Sequence, residues 1–264
     1  MADVLKQFGF EEARKRERPL LGADYVFKPS LPAAQAFKNV YERVLLEETP
    51  LAVRREIHLQ HQEKPHTNAK LTLALAWEGF AGAITLLERF VNGFQRAVPA
   101  EAVSSTVTRN EIGDFGVAWA WEKASQGPDV LAFVRFNVLV AITGHDTETG
   151  FITGLAEQID RELRSLPTVP SYGDQAEGLL SRAMTQAPRV PAGGRLELGE
   201  FATETKEGVT LFFLTSSGSV NRDPESPQKW YYRAGVERGA QEITLYRVGK
   251  GILPLRERLR VEVF

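Results

Sequence analysis

The spacing of apolar positions changes several times along the chain. Phe37, Val40, Tyr41, Val44 and Leu45 recur at helical spacing, which predicts an amphipathic helix entered at Pro32 and stopped by Thr49-Pro50. A short extended piece, Asp24 to Phe27, is expected before it. Ala52 to His61 and Lys70 to Trp77 alternate instead, the second with Leu71, Leu73, Leu75 and Trp77 on one side. The polar loop between them makes a hairpin natural. Phe80, Ile84, Leu87, Val91, Phe94 and Val98 then form a helical stripe closed by Pro99.

A second block has the same order. Phe115, Val117, Trp119 and Trp121 alternate, and Gln126-Gly127-Pro128-Asp129 is a turn. Val130 to Thr143 is too long for one strand and divides at Arg135-Phe136-Asn137, where Asn is expected to take positive φ. Gly144-His145-Asp146-Thr147 offers Asp and Thr as caps for a helix carrying Ile152, Leu155, Ile159 and Leu163. Strands followed by a helix thus occur twice, the pattern a ββα duplication would leave, though no residue identity carries it.

Leu166 to Gly173, with two prolines and a glycine, reads as a stiff connector. A short helix with Ala176, Leu179, Leu180 and Ala183 on its apolar face is expected after it, then a second break at Ala187 to Gly194. From Arg195 onward the helical period is gone. Leu196 and Leu198, Val209 to Thr215, Lys229 to Arg233, Gln241 to Val248 and Leu255 to Phe264 all read as strands separated by turn residues. In the last, Leu255, Leu259, Val261 and Val263 oppose Arg256, Arg258 and Arg260. The fold class expected is an α+β domain over 1–166, an antiparallel sheet covered by helices. A linker with a short helix covers 167–193, and an all-β sandwich covers 194–264.

The runs Thr210 to Ser219, Lys229 to Ala234, Gly239 to Arg247 and the terminal alternating strand together resemble bacterial immunoglobulin-like modules of the PKD type. The segment Val130 to Leu163 is similar to uncharacterised secreted bacterial domains, which often have Gly where this chain has Phe136. The first resemblance implies an immunoglobulin-like C-terminal module, and both imply an extracytoplasmic (periplasmic or secreted) home. A cytoplasmic location stays open.

Bulk properties narrow the chemistry. The 264 residues are 43% hydrophobic and 25% charged, ordinary for globular domains, with a formal net charge of −2. There is no global positive field for nucleic acid, and the basic cluster Arg14, Lys15, Arg16 and Arg18 is interleaved with Glu11, Glu12 and Glu17. No nucleic-acid partner is expected. No apolar run reaches the ~18–20 residues of a membrane span, and Met1 to Glu12 lacks the apolar core of a signal peptide. With no cysteine, disulfides, thiolate nucleophiles and Cys-ligated metals are excluded.

Four clusters could carry chemistry. His58 and His61, with His66 beyond, have a metal-like spacing, but on a strand the first two project to opposite faces. His145-Asp146 suggests a catalytic pair, yet no Gly-x-Ser-x-Gly elbow accompanies it, and a capping role is expected. Glu111, Asp114 and Glu122 flank the Trp strand; a glycosidase would need two of them facing one another across a cleft. Trp119 and Trp121 share one strand face, either as a stacking platform or, as expected here, as core beneath the two helices. Gly79-Phe80-Ala81-Gly82 lacks the Lys and Ser of a phosphate loop. No catalytic, cofactor or metal residue is therefore expected, and the candidate ligand contacts are Trp119, Trp121 and His145. The function expected is binding of a protein or carbohydrate partner without catalysis. A hydrolase with its site in the α+β domain and a cytoplasmic assembly factor are the alternatives.

Overall fold

The computed structural model describes residues 8–22, 25–26, 31, 34–48, 51–97, 103–109, 111–121, 129–172, 188–200, 209–226, 228–249 and 255–264. The protein is β-rich, with several antiparallel sheets and few helices. It divides into two compact units, Met1–Ser171 and Tyr172–Phe264. Two parts of the expected 167–193 connector are strands. Thr168–Val169 pairs with Leu20–Leu21 in the first unit, and Arg189–Val190 pairs with the terminal strand of the second. The short helix expected around Ala176 to Ala183 lies outside the described residues.

The first unit opens with a short helix, α1 (Phe10–Arg14), and the two-residue strand β1 (Leu20–Leu21). Strands β2 (Phe37–Glu48), β3 (Leu51–His61) and β4 (Asn68–Ala76) form a meander, followed by helix α2 (Gly79–Ala97). A second meander, β5 (Val103–Arg109), β6 (Phe115–Trp121), β7 (Val130–Arg135) and β8 (Val138–His145), is followed by helix α3 (Phe151–Ser165) and β9 (Thr168–Val169). The seven long strands form one sheet in the order β2-β3-β4-β8-β7-β6-β5, so the last strands of both meanders meet antiparallel at its centre.

The helix expected over Pro32 to Glu48 is strand β2. Val40, Tyr41 and Val44 are β-branched or aromatic, and the run pairs along its length with β3, which outweighs a spacing that short apolar runs share with helices. Tyr25 and Val26 are buried but not in a strand, while Asp24, Phe27 and Pro32 lie outside the described residues.

The sheet is covered on both faces, not one. Val130, Ala132, Val134, Leu139 and Ala141 share a core with Phe80, Ala83, Ile84, Leu87 and Val91 of α2. The alternate residues face α3: Arg135 bonds Asp160, and Gly144 lies against Ile152. The two helices, expected together over the Trp strand, instead sandwich the sheet in three layers, α2, sheet and α3. This also sets the two halves apart, because a rotation carrying one hairpin onto the other would place both helices on the same face. They lie on opposite faces, so the strand-helix repetition is not a duplication in three dimensions.

The β7–β8 hairpin turns at Phe136-Asn137, as the split of the long apolar run implies. The left-handed residue is Phe136, with φ 55°, and not Asn137 as expected. Asn137 is instead wholly buried. Its Oδ1 accepts the Leu21 N–H at 2.7 Å, and its Nδ2 donates to the Ala76 carbonyl at 2.8 Å. One side chain thus ties β1 and the end of β4 to the hairpin.

In the second unit, β10 (Arg189–Val190), β11 (Arg195–Glu200), β12 (Val209–Thr215), β13 (Ser219–Arg222), β14 (Lys229–Arg233), β15 (Gly239–Gly249) and β16 (Leu255–Val263) build two sheets. Their orders are β10-β16-β15-β12 and β11-β14-β13. Leu198, Trp230 and Tyr232 of one sheet and Leu211, Ile243, Leu245, Leu259, Val261 and Val263 of the other form a single core. The two sheets therefore pack face to face.

Candidate functional site

The two faces of the first unit's sheet differ in chemistry on the β2-β3-β4-β8 side. Rows toward α3 read Glu42, Ile57, Leu71, Ile142 and then Leu46, Val53, Leu75, Val138. That face is mostly apolar, apart from the paired Glu42 and Arg55, and α3 lies on it over β7 and β8 with buried Tyr25 and Val26 beside it: Tyr25 Oη donates to Glu162 Oε2 at 2.6 Å, and Arg55 Nη1 donates to the Val26 carbonyl at 3.1 Å. The rows on the other face read Lys38, Gln60, Asn68, His145; then Tyr41, His58, Lys70, Thr143; then Arg43, Glu56, Thr72, Ala141. Helix α2 packs on the alanine end of this face, against Ala52, Ala74, Ala76 and Ala141. The polar rows beyond form a floor that no described helix covers.

A recess of about 280 Å³ lies on this floor, lined by Val40, His58, Leu59, Gln60, Asn68, Ala69, Lys70, Thr143, Gly144 and His145. His145 is 71% exposed at its side chain, and its Nε2 is 3.5 Å from Asp146 Oδ2. Tyr41 stands edge-on to the His58 ring, 5.2 Å between centroids, and is 51% exposed. The Gln60 amide nitrogen donates to the Pro65 carbonyl at 3.0 Å and that of Asn68 to the His66 carbonyl at 3.1 Å. These bonds fix which end of each amide is oxygen.

Beside the recess, buried Glu56 gathers three cations. Arg43 Nε is 2.7 Å from it, Lys70 Nζ 3.1 Å and Arg54 Nε 3.7 Å. Arg54 also pairs with Glu47. Burial works to raise the Glu56 carboxyl. The bonds from Arg43 and Lys70 and the positive charge of Lys70 and Arg54 outweigh it and hold the group below its ordinary value.

His58 and His61 lie on opposite faces of β3. His61 stacks edge-on to Phe37 on the α3 side, and its Nδ1 accepts the N–H groups of Glu63 and Lys64, each at 3.1 Å. No three His, Asp or Glu side chains among the described residues converge to hold a metal. The expected Asp146 or Thr147 cap of α3 is absent: Gly150, at φ 82°, occupies the N-cap with no side-chain bond, and Asp146 itself has φ 53°. Positive φ at both places sends the chain away from the geometry a side-chain cap needs.

Trp119 is 3% exposed and packs under α2, with Phe94 at 5.2 Å and Phe90 at 6.4 Å between centroids. It is a core residue on the face opposite α3, so only one of the two helices expected to cover it does so. Trp121 ends β6, and its side chain lies outside the described residues. Asp114 is engaged by Arg18, Arg135 and the Phe136 N–H, while Glu122 lies outside the described residues. A second recess of about 250 Å³, lined by Glu111, Ile112, Glu157, Asp160, Arg161 and Arg164, contains an Asp160 already held by Arg135 and Arg164.

Of the candidate contacts, His145 lines the floor and Trp119 does not, while the Trp121 side chain lies outside the described residues. Lys70, Asn68 and Thr143 were missed and His58 was weighed only as a metal ligand, although their alternation on β3, β4 and β8 was visible. The signal was a run of polar positions at spacing two inside strands whose other face is apolar. No protein-family model matches the chain, and no curated protein matches it.

Proposed function

We propose that the protein is a non-catalytic binding protein with an extracytoplasmic home. Its N-terminal unit takes a ligand on the open polar floor, and its C-terminal unit is an immunoglobulin-like module serving as spacer or second contact surface. The observation that carries the binding reading is the recess over His58, Asn68, Lys70, Thr143 and His145. Its side chains stand on paired strands of a central sheet, which holds them without the ordering cost a loop would incur. Among its lining residues there is no carboxylate and no serine, so neither a carboxylate pair nor a serine nucleophile is on hand for hydrolysis.

The immunoglobulin-like reading is supported by strand order. Lettered A to G along the chain, the sheets are A-G-F-C and B-E-D, the division of the seven-strand constant-type fold with its first strand moved to the other sheet. The parallel pairing of β10 with β16 is that move. The extracytoplasmic home is supported by the resemblance of the segment Val130 to Leu163 to secreted bacterial domains and of the second unit to bacterial immunoglobulin-like modules, and fractionation of the native cells tests it.

The binding reading is tested by recording amide spectra of the isotope-labelled full chain against a library of sugars, sugar acids, amino acids and peptides. Perturbations are expected to cluster on β3, β4 and β8 around Lys70. Perturbations confined to the second unit, or none from any compound, would remove the floor as the site. Turnover of an ester, peptide or glycoside that is lost in His145→Ala would replace the reading with a hydrolase.

A further inference from the structure

Resting on that binding reading, we infer that the floor's ligand is a small, hydroxylated, single-ring acid whose anionic group is met by Lys70, with His58 and His145 beside it. Charge is the first ground. The floor's face of the sheet carries Lys38, Arg43, Arg54 and Lys70 but only Glu47 and Glu56 among carboxylates. Glu47 is taken up by Arg54, and Glu56 is shared by three cations. The Lys70 ammonium is therefore only partly compensated, and it borders a recess without a carboxylate in its lining. The carboxylate at the rim, Asp146, is 3.5 Å from His145 and outside that lining. A surplus of positive charge at a partly enclosed surface attracts an anion, and a charge-assisted bond to it is stronger than a neutral one.

Size and the remaining lining supply the rest. About 280 Å³ is at the lower edge of small-molecule sites, room for one ring and its acid group and too little for a polymer segment. Val40, 52% exposed, and Tyr41 form an apolar shoulder against which a ring can lie. Gln60 and Asn68 already donate through nitrogen to loop carbonyls, which offers their amide oxygens to ligand hydroxyls. Thr143 adds a hydroxyl. An anion, an apolar ring face and several hydroxyls together describe a sugar acid or sugar phosphate.

Three probes that share one ring isolate the anionic group: glucuronate, glucose 6-phosphate and glucose, each titrated into the full chain by calorimetry and amide spectra. At least one anion is expected to bind on the floor at least about tenfold more tightly than glucose, with affinity falling as salt rises. Preference between the two anions then names the carboxylate or the phosphate as the group. Lys70→Gln is expected to weaken anion binding by about tenfold or more and glucose little, while Lys70→Arg, which keeps the Glu56 pairing and the charge, retains it. Circular dichroism of both variants guards against loss of fold. Glucose binding as tightly as the tighter of the two anions, or anion affinity unchanged in folded Lys70→Gln, would overturn the inference and leave the binding reading standing. Silence of the floor resonances toward all three probes would overturn the inference, and silence toward the whole library would remove the binding reading as well.

Discussion

Arg135 and Asp160 meet in a buried two-point ion pair, Nε to Oδ1 at 2.6 Å and Nη2 to Oδ2 at 3.1 Å. Burial disfavours the guanidinium charge, but the bonds to Asp160 and the field of Asp114 outweigh it, so the Arg135 pKa is raised. The pair joins the β7–β8 hairpin to α3, and Arg135 Nη1 extends it to Asp114 at 2.9 Å. Removing one partner leaves the other's buried charge with only its outer neighbour, Asp114 for Arg135 or Arg164 for Asp160. Asp160→Asn is expected to cost about 3–5 kcal/mol in denaturant unfolding. Arg164→Ala, removing the half-exposed arm of the same cluster, is expected to cost under about 1 kcal/mol. Equal costs would mean that the buried pair has no special weight.

Asn137 is the second fixed point of that hairpin, because its amide serves Leu21 and Ala76 at once. Asn137→Ala leaves a buried N–H and a buried carbonyl without those partners, at about 1–3 kcal/mol each. Phe136→Gly is the contrast. It relieves the φ of 55° while giving up a half-buried ring, and its stability is expected to stay within about 1 kcal/mol of the parent. Thermal melts of the two variants separate the roles: a harmless Asn137→Ala would show that water replaces the amide.

Glu56 predicts a pH dependence. Its folded pKa is lowered, so its contribution is fully present above the unfolded glutamate value of about 4.3 and disappears as the pH falls through the lower folded value. Glu56→Gln, which mimics the protonated group, should be less stable than the parent by about 1–3 kcal/mol near neutrality. The gap should begin to close as the pH falls to the unfolded value of about 4.3 and go on closing below it. Unfolding free energies of both proteins through that fall in pH check it, and a gap independent of pH would mean that packing, not charge, makes the difference.

Trp119 lies under Phe90 and Phe94 of α2, away from the floor. Trp119→Ala is expected to cost about 3–5 kcal/mol of stability. The fraction that remains folded should bind floor ligands with unchanged affinity. Loss of binding at unchanged stability would restore the stacking-platform reading of this residue.

Much of this architecture was legible in the residues. Strands β3, β4, β6, β7 and β8 and helices α2 and α3 follow from spacing, because each has a long face with one period. Strand β2 was not legible: Phe37, Val40, Tyr41, Val44 and Leu45 suit a helix stripe, and only pairing with β3 decides otherwise. The two-residue strands β1, β9 and β10 are too short to have a period and exist through their partners. The side of the sheet on which each helix lies depends on crossover direction, which local pattern does not encode. The floor was half legible. His145 was visible as a candidate, but its neighbours Asn68 and Lys70 come from a different hairpin, and only the β4–β8 register brings them beside it.

The second unit's core turns on Tyr232, fully buried, whose Oη donates to the Ser217 carbonyl at 2.8 Å. That carbonyl belongs to the Ser216-Ser217-Gly218 turn leading into β13. Gly218 sits at φ 84°, and a Cβ there would lie 2.2 Å from the Arg233 carbonyl oxygen, backbone that cannot swing aside. The turn is thus held twice, by a hydrogen bond from below and by a close approach that only glycine permits. The two constraints differ in kind and predict different costs. Tyr232→Phe loses one hydrogen bond whose acceptor is near solvent, so about 0.5–1.5 kcal/mol is expected. Gly218→Ala adds left-handed strain of about 1–3 kcal/mol to a backbone clash, and it should be the more damaging of the two. The loss should appear in the melting of a separately expressed 172–264 fragment as well as in the full chain, since the whole contact set lies within that unit. Gly218→Ala no more harmful than Tyr232→Phe would mean that the turn yields, and that the β12–β13 connection is not pinned as the geometry implies.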